Sequence, residues 1–418
     1  MELVGNTYQI ADGYFISNYI GSSAFAAENL IFPPLILVGG IGLMFGSGST
    51  ALISNVLGRG DKERANRLLT FTILSLVVMG VLLSLGLFVL MPRLARFLGA
   101  DETLIYYCLE YGRILAVCMP FYMLNAAFHP LLITAERPDV GLIVSVINAC
   151  TNIFLDWFMI VVMGWGMSGA ALATGLTWIV SSAIPIIFFM KQKDTLHFAK
   201  PEWNFKELLQ TCYNGSSEMM NVISYAITAM LFNSALIYYA GENGVAAYSV
   251  SEYFTAVFVS ISYGICLSIT PVVGYNSGRK DKNELRSILK NGFIVMLSIG
   301  LIMSSLGILF AEYIAGVFVG YNSDLMKLAV EALRIISVAF IFTGITKFSS
   351  AFFTGMEDGT SSLIVVSVET FVMPVILVNI LPQIFGVTGI WFVSIFSEII
   401  AFIIASLLFM RYKRKEII

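Results

Sequence analysis

Long apolar runs are the feature that most limits what this chain can fold into. Only 12% of its residues are charged and 58% are hydrophobic, whereas a soluble domain carries roughly 25% charged residues. The runs do not alternate between apolar and polar residues, as strands of a membrane β-barrel would, and most are long enough for a helix of about 20 residues to cross a bilayer. The sequence therefore predicts an all-α, multi-pass membrane protein. The predicted spans are Ala26–Leu57, Leu68–Met91, Leu104–Thr134, Gly141–Met163, Ser168–Met190, Ser216–Ala240, Ala246–Asn276, Ser287–Val319, Leu325–Thr354, Ser361–Leu381 and Thr388–Met410.

The segment from Met1 to about Ile20 is shorter and more polar than these runs. It predicts a short first helix, which brings the expected total to about twelve. Lys and Arg concentrate in every second loop, and the alternate loops carry few cations: Arg93, Arg96 and Lys327. Because cationic loops stay in the cytoplasm, we expect both termini to be cytoplasmic and the protein to lie in the cell membrane.

The two halves of the chain repeat each other at an offset of 220 residues. Gly58-Arg-Gly-Asp61-Lys62 recurs as Gly278-Arg-Lys-Asp281-Lys282, and Gly166-Met-Ser-Gly169 recurs as Gly386-Val-Thr-Gly389. An even number of spans in each half gives both halves one orientation, so the predicted fold is a parallel repeat of two pseudo-symmetric six-helix bundles. The predicted domains are 1–190 and 207–418, joined by a cytoplasmic linker at 191–206. Transporters built this way place their substrate in a cleft between the repeats.

Two acids are expected at one depth in the first bundle. Asp12 lies eight residues before the end of the short helix, and Asp156 lies seven residues before the end of the Gly141–Met163 span. At 1.5 Å per residue, both are roughly 10–12 Å from the end of their helix. Asn148, Asn152 and Asp156 share one helix face, and Tyr8 is one turn before Asp12. Such a cluster suits a proton or a hard cation such as Na⁺. The alternative is a hydrogen-bond network that only packs the helices.

The second half does not copy these acids, since the matching positions are Phe232 and Ile376. It carries other charges in or near its spans, and we expect these to contribute to the substrate cleft, with Lys347 facing it. For Glu218 and Glu252, which lie nearer the span ends, the alternative is a position at the membrane interface. The candidate cleft residues are Glu369, Lys347, Glu252 and Glu218. An acidic cleft with many aromatic side chains favours amphipathic organic cations as substrates.

Other classes of function find little support in the sequence. Five cysteines lie in apolar stretches without metal-ligand spacing, and His129 has no second ligand nearby. No Ser/His/Asp arrangement indicates an enzyme, although a membrane-embedded enzyme is the alternative of another class. The net charge of −3 is too small to argue for any partner, and the sequence has no basic tract for nucleic acid, so we expect no nucleic-acid partner. We expect no enzymatic activity, no cofactor or metal beyond a coupling ion, and a monomer in the lipid bilayer.

The pattern Asp12-x-x-Phe-Ile-x-x-x-Ile-Gly21-x-x-Ala-x-Ala26-Ala27 resembles the multidrug and toxic compound extrusion (MATE) transporters, as does Asn152-x-x-Leu155-Asp156 followed by Gly166-x-x-Gly169. The resemblance covers the whole chain, apart from the shorter first helix. It implies a secondary antiporter that exports drugs in exchange for H⁺ or Na⁺ by alternating access. The resemblance also implies that Asp12, Asn152 and Asp156 hold the coupling ion, with Tyr8 one turn before the first acid.

Two rivals share the general topology. Major facilitator transporters carry a loop motif after the second span that Gly58-Arg-Gly-Asp61-Lys-Glu-Arg64 does not match. A lipid-linked saccharide flippase of the same superfold is the closer alternative. Such flippases tend to line the cleft with cations, whereas acids dominate the spans of this chain.

Overall fold

The computed structural model describes residues 11–193, 196–320 and 322–414, and every regular element in these ranges is a helix. Several helices contain a wider π-helical turn. The helices are α1 (11–20, ending in the π turn Ile16–Ile20), α2 (Ser22–Gly58), α3 (Lys62–Phe97), α4 (Glu102–Thr134), α5 (Pro138–Asp156, continued by the π turn Trp157–Val162), α6 (Gly166–Lys191), α7 (Phe205–Asn214), α8 (Ser216–Arg279), α9 (Lys282–Leu309), α10 (Ala311–Val319), α11 (Ser323–Gly355), α12 (Gly359–Ser367, continued by the π turn Val368–Val372), α13 (Met373–Phe385) and α14 (Val387–Arg414).

Within the described ranges, ten helical stretches are long and apolar enough to cross a membrane. One of them, α8, has 64 residues and is broken at Gly241, where φ is 62° and ψ is −156°. It therefore contains both the Ser216–Ala240 and the Ala246–Asn276 span. The prediction of an all-α, multi-pass membrane fold is confirmed. Residues 1–10 of the predicted first helix lie outside the described residues, so its full length stays a prediction.

The chain divides into two compact units, 1–219 and 220–418. The repeated Gly-Arg-x-Asp-Lys motif has the same structural role in both units. Asp61 accepts a hydrogen bond from the Arg64 N–H at 3.0 Å at the start of α3, and Asp281 accepts one from the Glu284 N–H at 3.1 Å at the start of α9. Each carboxylate caps the free N–H groups of its helix, a contact worth about 0.5–2 kcal/mol. The repeat is therefore visible in helix starts as well as in sequence.

Wide turns end α1 and α5 close to their acidic residues. The Gly21 N–H donates to Ile16 O at 3.0 Å and the Met163 N–H to Phe158 O at 2.9 Å, each five residues back instead of four. One extra residue rotates the following side chains by about 100° relative to an uninterrupted α-helix. Such π turns occur mostly as single turns, frequently at functional sites.

The segment before α7 is fastened to α3. The His197 N–H donates to Asn66 Oδ1 at 3.0 Å and the Ala199 N–H to Thr70 Oγ1 at 2.9 Å. An Arg64–Glu207 ion pair of 2.8 Å joins α3 to α7 itself. This part of the predicted linker thus packs on the N-terminal unit.

Close backbone contact joins α2 to α7. A Cβ atom added to Gly48 would overlap the carbonyl oxygen of Thr211, and one added to Gly215 would overlap the carbonyl oxygen of Met44. Backbone atoms cannot move aside as a flexible side chain can, so both positions require glycine. By contrast, Gly86 in α3 has open space around its Cβ position.

We expect Gly48→Ala to lower the thermal unfolding midpoint of the purified protein, because the overlap with Thr211 costs about 1–3 kcal/mol. Gly86→Ala is the matched control, since it makes the same change inside a helix and gains up to about 1 kcal/mol of helix propensity. The measurement is thermal denaturation in detergent followed by tryptophan fluorescence. Equal midpoints for the two variants would show that α2 and α7 do not pack as described.

Candidate functional site

A cavity of about 520 Å³ lies within the N-terminal unit. Its walls come from α1, α2, α4 and α6, and they combine aromatic rings with acidic and amide groups. The described lining includes two carboxylates and no Lys or Arg. The lining residues are Asp12, Gly13, Tyr14, Ser17, Asn18, Phe25, Glu28, Asn29, Phe32, Leu35, Ile36, Tyr111, Leu115, Tyr122, Thr174 and Trp178.

Asp12 lies at the wall of this cavity and is only 5% exposed. Its Oδ2 atom accepts hydrogen bonds from the Tyr111 hydroxyl and the Thr174 hydroxyl, both at 3.5 Å, which is the long end of the range for such bonds. Its Oδ1 atom is buried without a hydrogen-bond partner in the described part of the chain. The carboxylate is therefore held in place but only half satisfied.

Asn152 and Asp156 belong to α5, and both are 0% exposed. The Asn152 amide donates to Thr174 Oγ1 at 3.5 Å, so a chain of hydrogen bonds runs from α5 through α6 to Asp12 on α1. Asp156 interacts electrostatically with Asp12. The structure thus links the helices that carry the two predicted acids, while their common depth and their role as an ion site stay predictions.

The unsatisfied atoms of this cluster are all acceptors. Among the described residues, no donor reaches Asp12 Oδ1, either oxygen of Asp156, Asn152 Oδ1 or Asn148 Oδ1. Buried polar atoms are nearly always hydrogen-bonded in native proteins. A group made only of acceptors is satisfied by a proton or by a hard cation, which takes oxygen ligands.

The described residues contain no group of three or more His, Cys, Asp or Glu side chains placed to hold a metal ion. A Na⁺ ion at Asp12 and Asp156 would therefore need amide or hydroxyl oxygens as further ligands, and Asn152 and Thr174 supply both kinds. Tyr8, the remaining predicted member of this cluster, lies outside the described residues.

Sequence reasoning missed Glu28, Tyr111 and Thr174. Each lies six to nine residues from the end of its helix, at Ser22 of α2, Glu102 of α4 and Gly166 of α6. That is about the depth worked out for Asp12 at 1.5 Å per residue. The same depth count, applied to every span instead of to two, places all three at this level but does not distinguish them from the other side chains there.

The charged residues predicted for the second half form a second cluster in the C-terminal unit. Lys347 of α11 and Glu369 of the π turn after α12 make an ion pair of 3.0 Å, with side chains 22% and 4% exposed. Glu398 of α14 accepts a hydrogen bond from the Thr346 hydroxyl at 2.8 Å and interacts electrostatically with Lys347 and Glu369. Lys347 has the acidic partner that a buried lysine needs, and its position in a substrate cleft stays a prediction.

The last two predicted cleft residues are placed differently. Glu252 lies in the second part of α8, where it shares a hydrogen bond with Tyr248. Glu218 lies in the first turn of α8, and its backbone N–H donates to Gly215 O at 3.0 Å. Their part in substrate binding also stays a prediction.

Substitutions in the Lys347–Glu369 pair should lower the stability of the protein by different amounts, depending on which charge is removed. Removing one partner of a buried ion pair costs about 3–5 kcal/mol, because the other charge is left buried and unpaired. Lys347→Met strands two acids, Glu369 and Glu398, whereas Glu369→Gln leaves Lys347 beside Glu398. We therefore expect Lys347→Met to lower the thermal midpoint in detergent more than Glu369→Gln, and the double variant to recover part of the loss.

The control is the exposed Lys327–Asp324 pair, whose side chains are 80% and 82% exposed. Exposed pairs contribute about 0–1 kcal/mol, so Asp324→Asn should barely change the midpoint. Equal small effects for Lys347→Met and Asp324→Asn would contradict the assignment of Lys347 to a buried cluster.

Comparison with known proteins follows the same division of the chain. A family model described as MatE matches residues 1–158 and 218–381. Two curated relatives are both named Multidrug export protein MepA, one from Staphylococcus saprophyticus and one from Staphylococcus aureus. Each is 24% identical to this chain, over 418 and 420 residues, and each match covers 97% of this chain and 90% of the relative.

Solved structures share the fold over nearly the whole chain. A crystal structure of MATE in the bent conformation is 25% identical, with a TM-score of 0.92 and coverage of 100% of this chain and 93% of that one. A MOP superfamily transporter from Pyrococcus furiosus, described as having a binding pocket of reverse polarity that suggests a different function, is 24% identical, with a TM-score of 0.88 and coverage of 100% and 93%. With the family model matched along both repeats, the chain belongs to the MatE family, and it is a multi-pass membrane transporter rather than an enzyme.

Proposed function

We propose that this protein is a secondary active antiporter that exports amphipathic organic cations, including drugs, in exchange for H⁺ or Na⁺. The observation that carries the proposal is the group of buried, unpartnered acceptor atoms around Asp12 and Asp156. It lies beside a cavity of about 520 Å³, which is within the usual range for a site that binds a small organic molecule.

The acceptor cluster suits the ion half of the exchange. A proton or a Na⁺ ion at Asp12 would neutralise a charge that the surrounding apolar helices cannot, and Thr174 would pass the change on to Asn152 through their hydrogen bond. Antiport requires that the ion bind one conformation better than the other. The π turns beyond Asp12 and Asp156 are places where α1 and α5 could change their helical register.

The cavity suits the substrate half. Six of its lining side chains are aromatic, among them Trp178 stacked on Tyr122 at 4.5 Å between ring centroids. Aromatic faces attract organic cations, and the acidic lining adds to this attraction. The name of the staphylococcal relatives, a multidrug export protein, agrees with such a substrate class.

The flippase alternative is disfavoured by the same lining. A saccharide linked to lipid phosphate is anionic, and the described wall of the cavity offers it Asp12 and Glu28 but no Lys or Arg. The Pyrococcus furiosus structure illustrates that this fold accommodates pockets of different polarity. The charge of the pocket, more than the fold, therefore supports a cationic substrate.

We further propose that the protein acts as a monomer in the cell membrane, with both termini in the cytoplasm. The concentration of Lys and Arg in alternate loops supports this orientation. H⁺ or Na⁺ entering from outside would then drive export of the substrate.

We expect Asp12→Asn to abolish gradient-driven efflux, because a neutral amide neither takes up a proton nor offers a negative charge to Na⁺. Asp156→Asn should have the same effect, and the double variant should be little worse than either, since residues acting as one unit are not additive. The loss should be at least about tenfold, equivalent to 1.4 kcal/mol. The measurement is efflux of a cationic dye from proteoliposomes under an imposed pH or Na⁺ gradient.

The matched control is Glu102→Gln, which removes an exposed carboxylate from the first turn of α4. It should transport like the unmodified protein. Comparing a pH gradient with a Na⁺ gradient identifies the coupling ion. Unchanged gradient-driven flux in Asp12→Asn at equal expression, or export limited to anionic lipid-linked saccharides, would overturn the proposed function.

A further inference from the structure

Glu28 of α2 carries a further inference. Phe25, Glu28, Phe32 and Leu35 follow one another at helical spacings of three and four, so they lie on one face of the helix. All four line the cavity of the N-terminal unit. Glu28 is thus surrounded on its own helix by apolar side chains that also face the cavity.

The carboxylate of Glu28 is incompletely satisfied. Its Oε2 atom is buried and has no hydrogen-bond partner among the described residues. It interacts electrostatically with Asp12 and with Asp156, both of the same sign. Because the described lining holds no Lys or Arg, nothing in it neutralises this third negative charge.

A second observation points to a ligand in the same cavity. Asp12, 95% buried by its 5% exposure, also lines the cavity and leaves Oδ1 without a partner. Trp178 also lines the cavity, and it offers a hydrogen-bond donor instead of an acceptor: its Nε1 atom is buried without a partner among the described residues. Unsatisfied groups on α1, α2 and α6 thus share one cavity, which a bound molecule would satisfy.

Glu28 differs from Asp12 in ways that separate their roles. Asp12 is held by two hydroxyl groups and linked to Asn152 through Thr174. Glu28 is more exposed than Asp12 and lies between two phenyl rings on its own helix. A small hydrated ion suits the hydroxyl and amide setting, whereas a large, weakly hydrated organic cation suits a carboxylate flanked by aromatic rings.

We propose that Glu28 binds the positive charge of the transported organic cation, while Asp12 and Asp156 bind the coupling ion. This inference rests on the proposed function, because it assigns the two cations of the exchange to different carboxylates in one cavity. Two cations bound at interacting carboxylates repel each other, so each weakens the binding of the other by the same factor. That mutual weakening is what an exchange of substrate for ion requires.

The test uses the lipophilic cation tetraphenylphosphonium as the probe and triphenylphosphine oxide as an uncharged molecule of similar shape. Binding of both is measured on the purified full-length protein in detergent. We expect Glu28→Gln to weaken tetraphenylphosphonium binding at least about tenfold and to leave triphenylphosphine oxide binding unchanged. Glu28→Asp keeps the charge on a shorter side chain and should retain most of the tetraphenylphosphonium affinity.

Two further variants separate this inference from the proposed function. Asp12→Asn should still bind tetraphenylphosphonium but lose its displacement by H⁺ or Na⁺, and Glu102→Gln should match the unmodified protein in both respects. Unchanged tetraphenylphosphonium affinity in Glu28→Gln, or equal weakening of the charged and uncharged probes, would overturn the role of Glu28. Ion-driven efflux that survives in Asp12→Asn would instead overturn the proposed exchange mechanism. A Glu28→Gln protein that does not fold leaves the Glu28→Asp comparison, where loss of all selectivity for the charged probe counts against the inference.

Discussion

Buried carboxylates in a cavity whose described lining holds no Lys or Arg are the constraint around which the N-terminal unit is built. A single charged acid inside a membrane costs at least about 2.5–3.5 kcal/mol on insertion scales. Asp12 and Asp156 interact electrostatically, and each has a buried acceptor atom without a hydrogen-bond partner among the described residues. The C-terminal unit meets a similar problem with an internal solution, since Lys347 pairs with Glu369 beside Glu398. The C-terminal cluster therefore carries its own counter-charge, whereas the described lining of the N-terminal cavity offers none. The repeated architecture has been kept while the chemistry of the two halves has diverged.

Much of the fold could be predicted from the sequence because it depends on local regularities. The bilayer sets the length of apolar runs, and the repeated Gly-Arg-x-Asp-Lys motif is explained by the capping roles of Asp61 and Asp281. The break at Gly241 matches the gap between two predicted spans. What could not be predicted were the π turns, because they depend on how whole helices pack, and no local pattern in 157–162 or 368–372 marks them.

The site was predictable only in part. Asp12, Asn152 and Asp156 were predicted because an acid in an apolar span is conspicuous, and a chain of hydrogen bonds links Asp12 to Asn152 in the structure. Thr174 was overlooked because a threonine is unremarkable in a membrane helix until its neighbours are known. Glu28 was overlooked because it lies near the start of its span, where an acid ordinarily reaches water. Only the three-dimensional arrangement shows that the Glu28 helix face lines the cavity.

The fastening of residues 197–207 to α3 has a mechanical consequence. A connecting segment without such contacts would leave the start of α8 free to move relative to α3. Here hydrogen bonds at Asn66 and Thr70 and the ion pair at Glu207 hold the segment to the N-terminal unit. The chain then enters α8 at Ser216 and passes into the second unit as a helix. The start of α8 therefore leaves the N-terminal unit from an anchored segment, so residues 197–207 move together with α3.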